Sequence, residues 1–182
     1  LSEDNSKHYL KLFDESGAPA PHIEALARDG IVFDRAFSCS PVCSVARTTL
    51  MTCCYGPRIG TQFHRRMRMA PMPEGLAMFP AYLRQAGYYT TNNSKTDYNF
   101  QHPPTTWDES SRTAHWRGRM PGQPFFAVFN ITTTHESRVR ADDEQFARLT
   151  SRLSPTERQD AGKLALPPYY PDTPVVRKDW AH

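Results

Sequence analysis

The chain has 182 residues, of which 22 are Lys or Arg and 19 are Asp or Glu, so its net charge is +3. This length suits one domain with a sizeable core. Such a weak charge, with no long run of one sign, gives no reason to expect a nucleic acid or a lipid surface as partner. No stretch approaches the roughly 18 apolar residues of a membrane span, and the start LSEDNSKHYL lacks the regions of a signal peptide.

The first half of the chain contains two predicted helices. Residues 18–33, APAPHIEALARDGIVF, predict a turn, a helix that ends at Gly30, and a short strand over Ile31–Phe33. After the turn at Ser40-Pro41, the composition predicts a second helix over Ala46–Met51. A helix followed directly by a strand is a step typical of an α/β fold.

A thiol and a guanidinium are predicted near the N-terminus of the second helix. The backbone N–H groups there attract anions and favour a thiolate at Cys43, and charge-assisted hydrogen bonds from Arg47 add to this effect. We therefore expect Arg47 to hold an anionic group. The following loop, residues 55–75, adds a positive rim whose basic side chains are Arg58, His64, Arg65, Arg66 and Arg68.

The second half repeats the helix-to-strand step. Residues 79–86 have helical spacing, Gly87 ends that helix, and Tyr88–Thr91 are predicted as a strand. The apolar run PFFAVFNI, residues 124–131, is typical of a parallel strand covered on both faces. The residues that follow it, TTTHES, would lie at the edge of the sheet where α/β proteins bind ligands. Charged helical sequence follows Ala141 and is interrupted by the proline-rich LPPYYPDTPVV.

Four cysteines, at positions 39, 43, 53 and 54, lie within a short stretch. Their spacing differs from the paired CxxC pattern of a zinc site, and so local a cluster is unlike a disulfide framework. The compartment therefore cannot be read from the cysteines.

The stretch from Cys43 to Arg47, CSVAR followed by TTLMT, resembles the C-x-P-S-R signature of the formylglycine-dependent (type I) sulfatases, which belong to the alkaline-phosphatase-like superfamily. The resemblance extends over residues 2–136, through PHIEALARDGIVFDRAFS, YGPRIGTQFHR and LRQAGYYT. Within the family, it is closest to bacterial sulfoglucosamine sulfohydrolase-like sulfatases. It implies an α/β/α sandwich with a mostly parallel central sheet, incomplete in this chain.

The resemblance also implies a mechanism and a set of site residues. A formylglycine-generating enzyme would oxidise Cys43, and the hydrated aldehyde would attack sulfur to give a sulfate hemiester that collapses to aldehyde and free sulfate. Arg47 matches the arginine that steadies the formylglycine, Lys95 the lysine that contacts sulfate, and His135 the histidine that assists the leaving oxygen. The metal, Ca²⁺ in most of the family, would be held by Glu3, Asp4 and the oxidised Cys43.

The sequence departs from the family pattern at four points. Val45 replaces the proline or alanine that the modifying enzyme usually reads. Cys53 stands where the family's turn has a glycine with φ > 0. Asp97 occupies the position of a second histidine in many sulfatases. The later acidic and basic residues that complete the family's site have no counterpart before His182.

The sequence is compatible with three functions. The first is hydrolysis of sulfate from a sulfated glycan or an aryl sulfate. The second is a thiol phosphatase, although the phosphate loop of those enzymes spaces Cys and Arg by five residues rather than three. The third is a truncated, inactive sulfatase fragment that at most binds anions.

Leu1 in place of Met and the missing apolar strand before Glu3 favour the expectation that residues 1–182 are the N-terminal portion of one catalytic domain, truncated at both ends. The family implies a periplasmic or secreted enzyme.

Overall fold

A computed structural model describes residues 1–65 and 67–182. Its helices and strands, in chain order, are α1 (Pro21–Asp29), α2 (Cys43–Thr52), α3 (Phe79–Gln85), β1 (Tyr89–Asn93), β2 (Glu109–Ser110), β3 (Phe125–Phe129), α4 (Asp143–Leu149) and α5 (Pro174–Ala181). Short 3₁₀ turns lie between them. The chain divides into a first unit, Leu1 with Ala36–Asn130, and a second unit, Ser2–Arg35 with Ile131–His182.

The first unit is built on a parallel three-stranded sheet with the order β2-β1-β3. β1 pairs with β3 along its whole length, from Tyr89 opposite Phe125 to Asn93 opposite Phe129. Because parallel strands run in the same direction, the residues that follow β1 and β3 meet at one edge of the sheet. The predicted α/β class and the parallel pairing are confirmed.

A small apolar core attaches α2 and α3 to this sheet. Met51 of α2 and Met78, which precedes α3, are fully buried together with Phe100 and Trp107. Phe126 of β3 packs against this cluster. Each buried side chain of this size contributes about 1.5–3 kcal/mol, so the core fixes the position of α2 on the sheet.

The predicted helices exist, with shifted bounds. α2 begins at Cys43 rather than at Ala46, and β1 begins and ends later than the predicted strand over Tyr88–Thr91. The predicted parallel strand at residues 124–131 is β3. It is only partly covered, because both end residues, Phe125 and Phe129, remain exposed.

The prediction of a strand over Ile31–Phe33 is wrong for the described chain. These residues have no strand geometry, and Ile31 is 83% exposed. A β-strand is stabilised by its ladder partners, and apolar composition alone does not supply one. The short segment after α1 therefore has no regular secondary structure and faces solvent.

The second unit combines α1, α4 and α5 with irregular chain. The predicted helical sequence after Ala141 forms α4, and Asp142 caps it by accepting the N–H of Gln145 at 2.7 Å. Near α5, the Arg177 guanidinium makes two contacts with Asp172 and donates to the carbonyl of Ala161. No helix within the described ranges combines the length and apolarity needed to cross a membrane.

The position expected to need a left-handed backbone has one. Cys53 ends α2 with φ 56° and ψ 22°, and its N–H donates to the carbonyl of Thr49 at 2.8 Å. A side chain with a Cβ is strained there, whereas glycine is not. We expect Cys53→Gly to raise the free energy of unfolding by roughly 0.5–1 kcal/mol in chemical denaturation. Cys53→Ala, which keeps the Cβ, should give no gain, and an equal gain from both variants would contradict this explanation.

Candidate functional site

The thiol predicted as the nucleophile is the first residue of α2. Cys43 is half-buried, and the preceding Val42 has an extended backbone and an apolar side chain that cannot cap the helix. The N–H groups of the first turn therefore provide a positive end for an anion beside Cys43. All four cysteines lie in the described part of the chain, and none of them forms a disulfide there.

Arg47 lies one helical turn after Cys43 and is only 4% exposed. Its Nε donates to the carbonyl of Thr96 at 3.0 Å, and its Nη2 donates to the carbonyl of Lys95 at 2.5 Å. Nη2 also donates to Oδ1 of Asn130 at 2.7 Å. The guanidinium therefore fixes the backbone of the segment that carries Lys95 against α2.

Two asparagines extend this network along the edge of the sheet. Asn130, which follows β3, donates from Nδ2 to Oδ1 of Asn92 at 3.0 Å and to the carbonyl of Asn93 at 2.9 Å. Asn92 of β1 is fully buried and donates to Oγ of Ser110 in β2. The network therefore connects all three strands to Arg47. No role is predicted for Asn92 or Asn130 from the sequence, although two polar residues at the ends of paired apolar strands are a usable signal.

A second basic group lies beside the nucleophile position. Ser44, directly after Cys43, is fully buried, and its Oγ is 2.8 Å from Nδ1 of His64. The same Oγ accepts the N–H of Arg65 at 3.3 Å. From the sequence, His64 is predicted as part of the positive rim but not against Ser44, because a hydrogen bond between residues 20 positions apart leaves no local pattern.

Asp97 forms an ion pair with Arg65. The Arg65 Nε and Nη2 atoms lie 3.3 and 3.2 Å from the two carboxylate oxygens. Burial alone raises the pKa of Asp97, but the hydrogen bond and charge of Arg65, helped by the charges of Lys95 and His64, outweigh burial and lower that pKa below its ordinary value. Asp97 therefore stays ionised at neutral pH, and the pair weakens only when the pH falls through this lowered pKa.

In the second unit, the two predicted acidic ligands, Glu3 and Asp4, lie beside a short backbone pairing between the start of the chain and Ile131. Ser2 forms a parallel bridge with Ile131, and the N–H of Glu3 donates to the carbonyl of the same residue at 3.1 Å. Glu3 is buried, and Asp4 has a left-handed backbone with φ 50°. Oδ2 of Asp4 accepts the N–H of Glu136 at 2.9 Å. Carboxylate oxygens are the ligands that Ca²⁺ prefers, so the donor chemistry of Glu3 and Asp4 fits that ion.

His135 is held in one tautomer. Its Nδ1 accepts the N–H of Ser137 at 3.2 Å, so the neutral imidazole carries its proton on Nε2. Nε2 lies 3.8 Å from Oδ2 of Asp4. A histidine in this tautomer can donate a hydrogen bond from Nε2 to a leaving oxygen.

The predicted site residues therefore fall into two groups. Within the first unit, the structure brings the backbone of Lys95 to Arg47, one turn after Cys43 on α2. Within the second unit, the structure brings the Asp4 carboxylate close to the His135 ring, and Glu3 directly precedes Asp4 in the chain. Of the basic rim, Arg66 lies outside the described residues. The catalytic and metal-binding roles of these residues stay predictions.

Comparison with known proteins points to one family. A family model described as Sulfatase matches residues 1–153. The ulvan-active sulfatase of Formosa agariphila is 36% identical over 206 aligned positions, which cover 94% of this chain and 35% of that protein. The uncharacterized sulfatase YidJ of Escherichia coli is 36% identical over 77 positions, covering 41% of this chain and 15% of that protein.

A human relative is more distant. N-acetylgalactosamine-6-sulfatase is 28% identical over 97 positions, covering 48% of this chain and 19% of that protein. The chain thus spans 35% of the length of the ulvan-active sulfatase and less of the other two. Because the family model covers most of the 182 residues and agrees with the α/β fold, the chain belongs to the sulfatase family of the alkaline-phosphatase-like superfamily.

Proposed function

We propose that the protein hydrolyses sulfate esters of glycans or aryl alcohols, with a formylglycine derived from Cys43 as nucleophile. The observation that supports this most is the arrangement of α2. Its uncapped N-terminus carries Cys43, and one turn later Arg47 is buried and holds the Lys95 segment. A half-buried thiol beside a fixed guanidinium suits chemistry on an anionic ester.

The proposal includes a modification of Cys43 by a formylglycine-generating enzyme. In the net change, Cβ loses two electrons to an external oxidant, sulfur leaves as sulfide, and an oxygen atom takes its place. Val45 departs from the residue that such an enzyme usually reads, so the extent of conversion is itself a prediction of the proposal. The resulting aldehyde, once hydrated, supplies a hydroxyl nucleophile, and Ca²⁺ would supply positive charge for the sulfate oxygens.

The residues of the chain then have separate tasks. Arg47 keeps the side chain at position 43 oriented, and Lys95 binds a sulfate oxygen. His135 donates a hydrogen bond from Nε2 to the alcohol oxygen and stabilises the charge that develops there as the bond between sulfur and that oxygen breaks; the alcohol oxygen then takes its proton from water. Glu3, Asp4 and the oxidised Cys43 would hold the cation. Overall, the ester and one water become an alcohol and sulfate.

Isotope labelling tests this function. The complete natural protein, produced together with a formylglycine-generating enzyme, is incubated with 4-nitrophenyl sulfate and with sulfated oligosaccharides in ¹⁸O-water. We expect sulfate to be released with the label in sulfate and none in the alcohol, because the bond to sulfur is the one that breaks. The same protein made without the modifying enzyme serves as control and should release much less. Label in the alcohol, or no release from any ester, would contradict the proposal and favour the inactive-fragment alternative.

A further inference from the structure

We propose that Arg65 is a specificity residue that binds a second anionic group of the substrate, a carboxylate or another sulfate on the sugar next to the ester. This inference rests on the proposed sulfatase function and narrows its substrates to glycans with more than one negative charge near the cleaved bond. Asp97 is the positioning residue that orients the Arg65 guanidinium. The argument uses only residues of the first unit.

The backbone of Arg65 is attached directly beside the nucleophile position. Ser44 follows Cys43 on α2, is fully buried, and accepts the N–H of Arg65 at 3.3 Å while its Oγ also meets His64 at 2.8 Å. A buried hydroxyl with two partners is costly to displace. The start of the Arg65 segment is therefore fixed relative to the N-terminal turn of α2.

A second anchor holds the residues just before His64. Asn99 is 1% exposed, and its Nδ2 donates to the carbonyls of Thr61 at 3.0 Å and Phe63 at 2.6 Å. The N–H of Asn99 in turn donates to Oγ1 of Thr48 on α2 at 3.0 Å. The loop that carries Arg65 is thus tied to the same helix as Cys43, which is the rigid support that a binding residue needs.

Asp97 then sets the direction of the guanidinium. Arg65 presents Nε and Nη2 side by side to the two oxygens of Asp97, the planar paired geometry that arginine makes with carboxylates. The Asp97 side chain is only 18% exposed, whereas the Arg65 side chain is 60% exposed. A ligand from solvent can therefore reach Arg65, and the half-buried carboxylate of Asp97 keeps the guanidinium in place.

Stability alone gives a weak explanation for this pair. Both Arg65 and Asp97 have left-handed backbones with φ 45°, a conformation that costs of order 1 kcal/mol for each non-glycine residue. An ion pair with one exposed partner contributes about 0–1 kcal/mol, which does not offset that cost. A strained backbone whose cost is not offset by stabilising contacts is typical of functional positions.

The charges around the pair favour an anion. Asp97 lies two residues after Lys95 in the chain, and the groups that act on its pKa are Arg65, Lys95 and His64. The permanent positive charges of Arg65 and Lys95 therefore both act near the Asp97 carboxylate. A substrate with a single sulfate presents that group to position 43, so Arg65 contributes to binding only when the substrate carries another anion.

The experiment compares substrates that differ only in the second group. The complete natural protein, made with the formylglycine-generating enzyme, is assayed on 4-nitrophenyl sulfate and on three disaccharides with the same cleavable sulfate, whose neighbouring sugar is neutral, carries a carboxylate, or carries a second sulfate. The variants are Arg65→Gln, Arg65→Lys and Asp97→Asn. Arg68→Gln, an exposed arginine in the same loop, is the matched control for the charge change.

We expect Arg65→Gln to raise KM about tenfold or more for the disaccharides with a second anion and to leave the two singly charged substrates unchanged. Arg65→Lys should restore part of the loss, and Asp97→Asn should give a smaller rise on the same substrates. The carboxylate and second-sulfate substrates show which anion Arg65 prefers. Equal effects on all substrates, no effect on any, or the same pattern from Arg68→Gln would overturn the inference while leaving the sulfatase function intact. A wild-type protein inactive on every ester would overturn the proposed function and this inference with it.

Discussion

Cys43→Ala is expected to lower kcat/KM for sulfate-ester hydrolysis at least about a thousandfold, because it removes the thiol that the modifying enzyme must oxidise to form the aldehyde in this proposal. The thiol begins α2, and alanine is a good residue for a helix, so the fold should be kept. The measurement is steady-state turnover of an aryl sulfate by the complete natural protein, with circular dichroism to check the fold.

Cys39→Ala is the matched control for Cys43. Cys39 is an exposed thiol four residues upstream, and its replacement should leave turnover within about twofold of the wild type. If Cys43→Ala retained most of the activity while folded, the nucleophile would lie elsewhere. Full activity of the unmodified thiol would instead favour the thiol-phosphatase type of chemistry.

Arg47→Ala is expected to lower the free energy of unfolding by about 3 kcal/mol and to abolish turnover. The change leaves the carbonyls of Lys95 and Thr96 and Oδ1 of Asn130 without their buried donor. Each unsatisfied buried acceptor costs of order 1 kcal/mol or more. The measurement is urea denaturation followed by tryptophan fluorescence.

Two further variants make the Arg47 result specific. Arg47→Lys keeps the positive charge but not the planar fork that reaches several acceptors, so it should lose an intermediate amount of stability. Arg28→Ala, an exposed arginine on α1, should change stability by less than about 0.5 kcal/mol. A stable Arg47→Ala protein would show that these hydrogen bonds do not hold the Lys95 segment.

Local chemistry explains what the sequence could predict. Helical spacing and glycine stops located α1 and α3, and the unbroken apolar run located β3. The glycine position occupied by Cys53 predicted a left-handed backbone, which the structure has. Each of these signals depends on a few neighbouring residues, so the local sequence is enough to predict these elements.

Long-range pairing explains what was missed. Ile31–Phe33 have strand composition, yet pairing depends on a partner that composition cannot name. Arg47 also binds the carbonyls of residues about 50 positions away, and no local pattern around Arg47 predicts those hydrogen bonds. His64 was expected only as one member of the positive rim, and only the fold places it against Ser44.

Some predictions remain open to experiment. That residues 1–182 form the N-terminal portion of one catalytic domain, that the enzyme is periplasmic or secreted, and that its closest kin are sulfoglucosamine sulfohydrolase-like enzymes all stay predictions. The roles of Glu3, Asp4 and His135 are proposals of the same kind. The carboxylates of Glu3 and Asp4 suit a calcium ion, and the Nε2–H of His135 suits a hydrogen bond to the leaving oxygen. Substitution of each residue in the complete protein tests these roles.

The chemical state of residue 43, thiol or aldehyde, tests the proposed function most directly. Mass spectrometry of the peptide that contains it, from the complete protein produced with a formylglycine-generating enzyme, should show a species about 18 Da lighter than the thiol form, because CHO has replaced CH₂SH. Sulfate release should rise in proportion to that species across preparations. An unmodified thiol in an active preparation, or the aldehyde in one that cleaves no sulfate ester, would contradict the account.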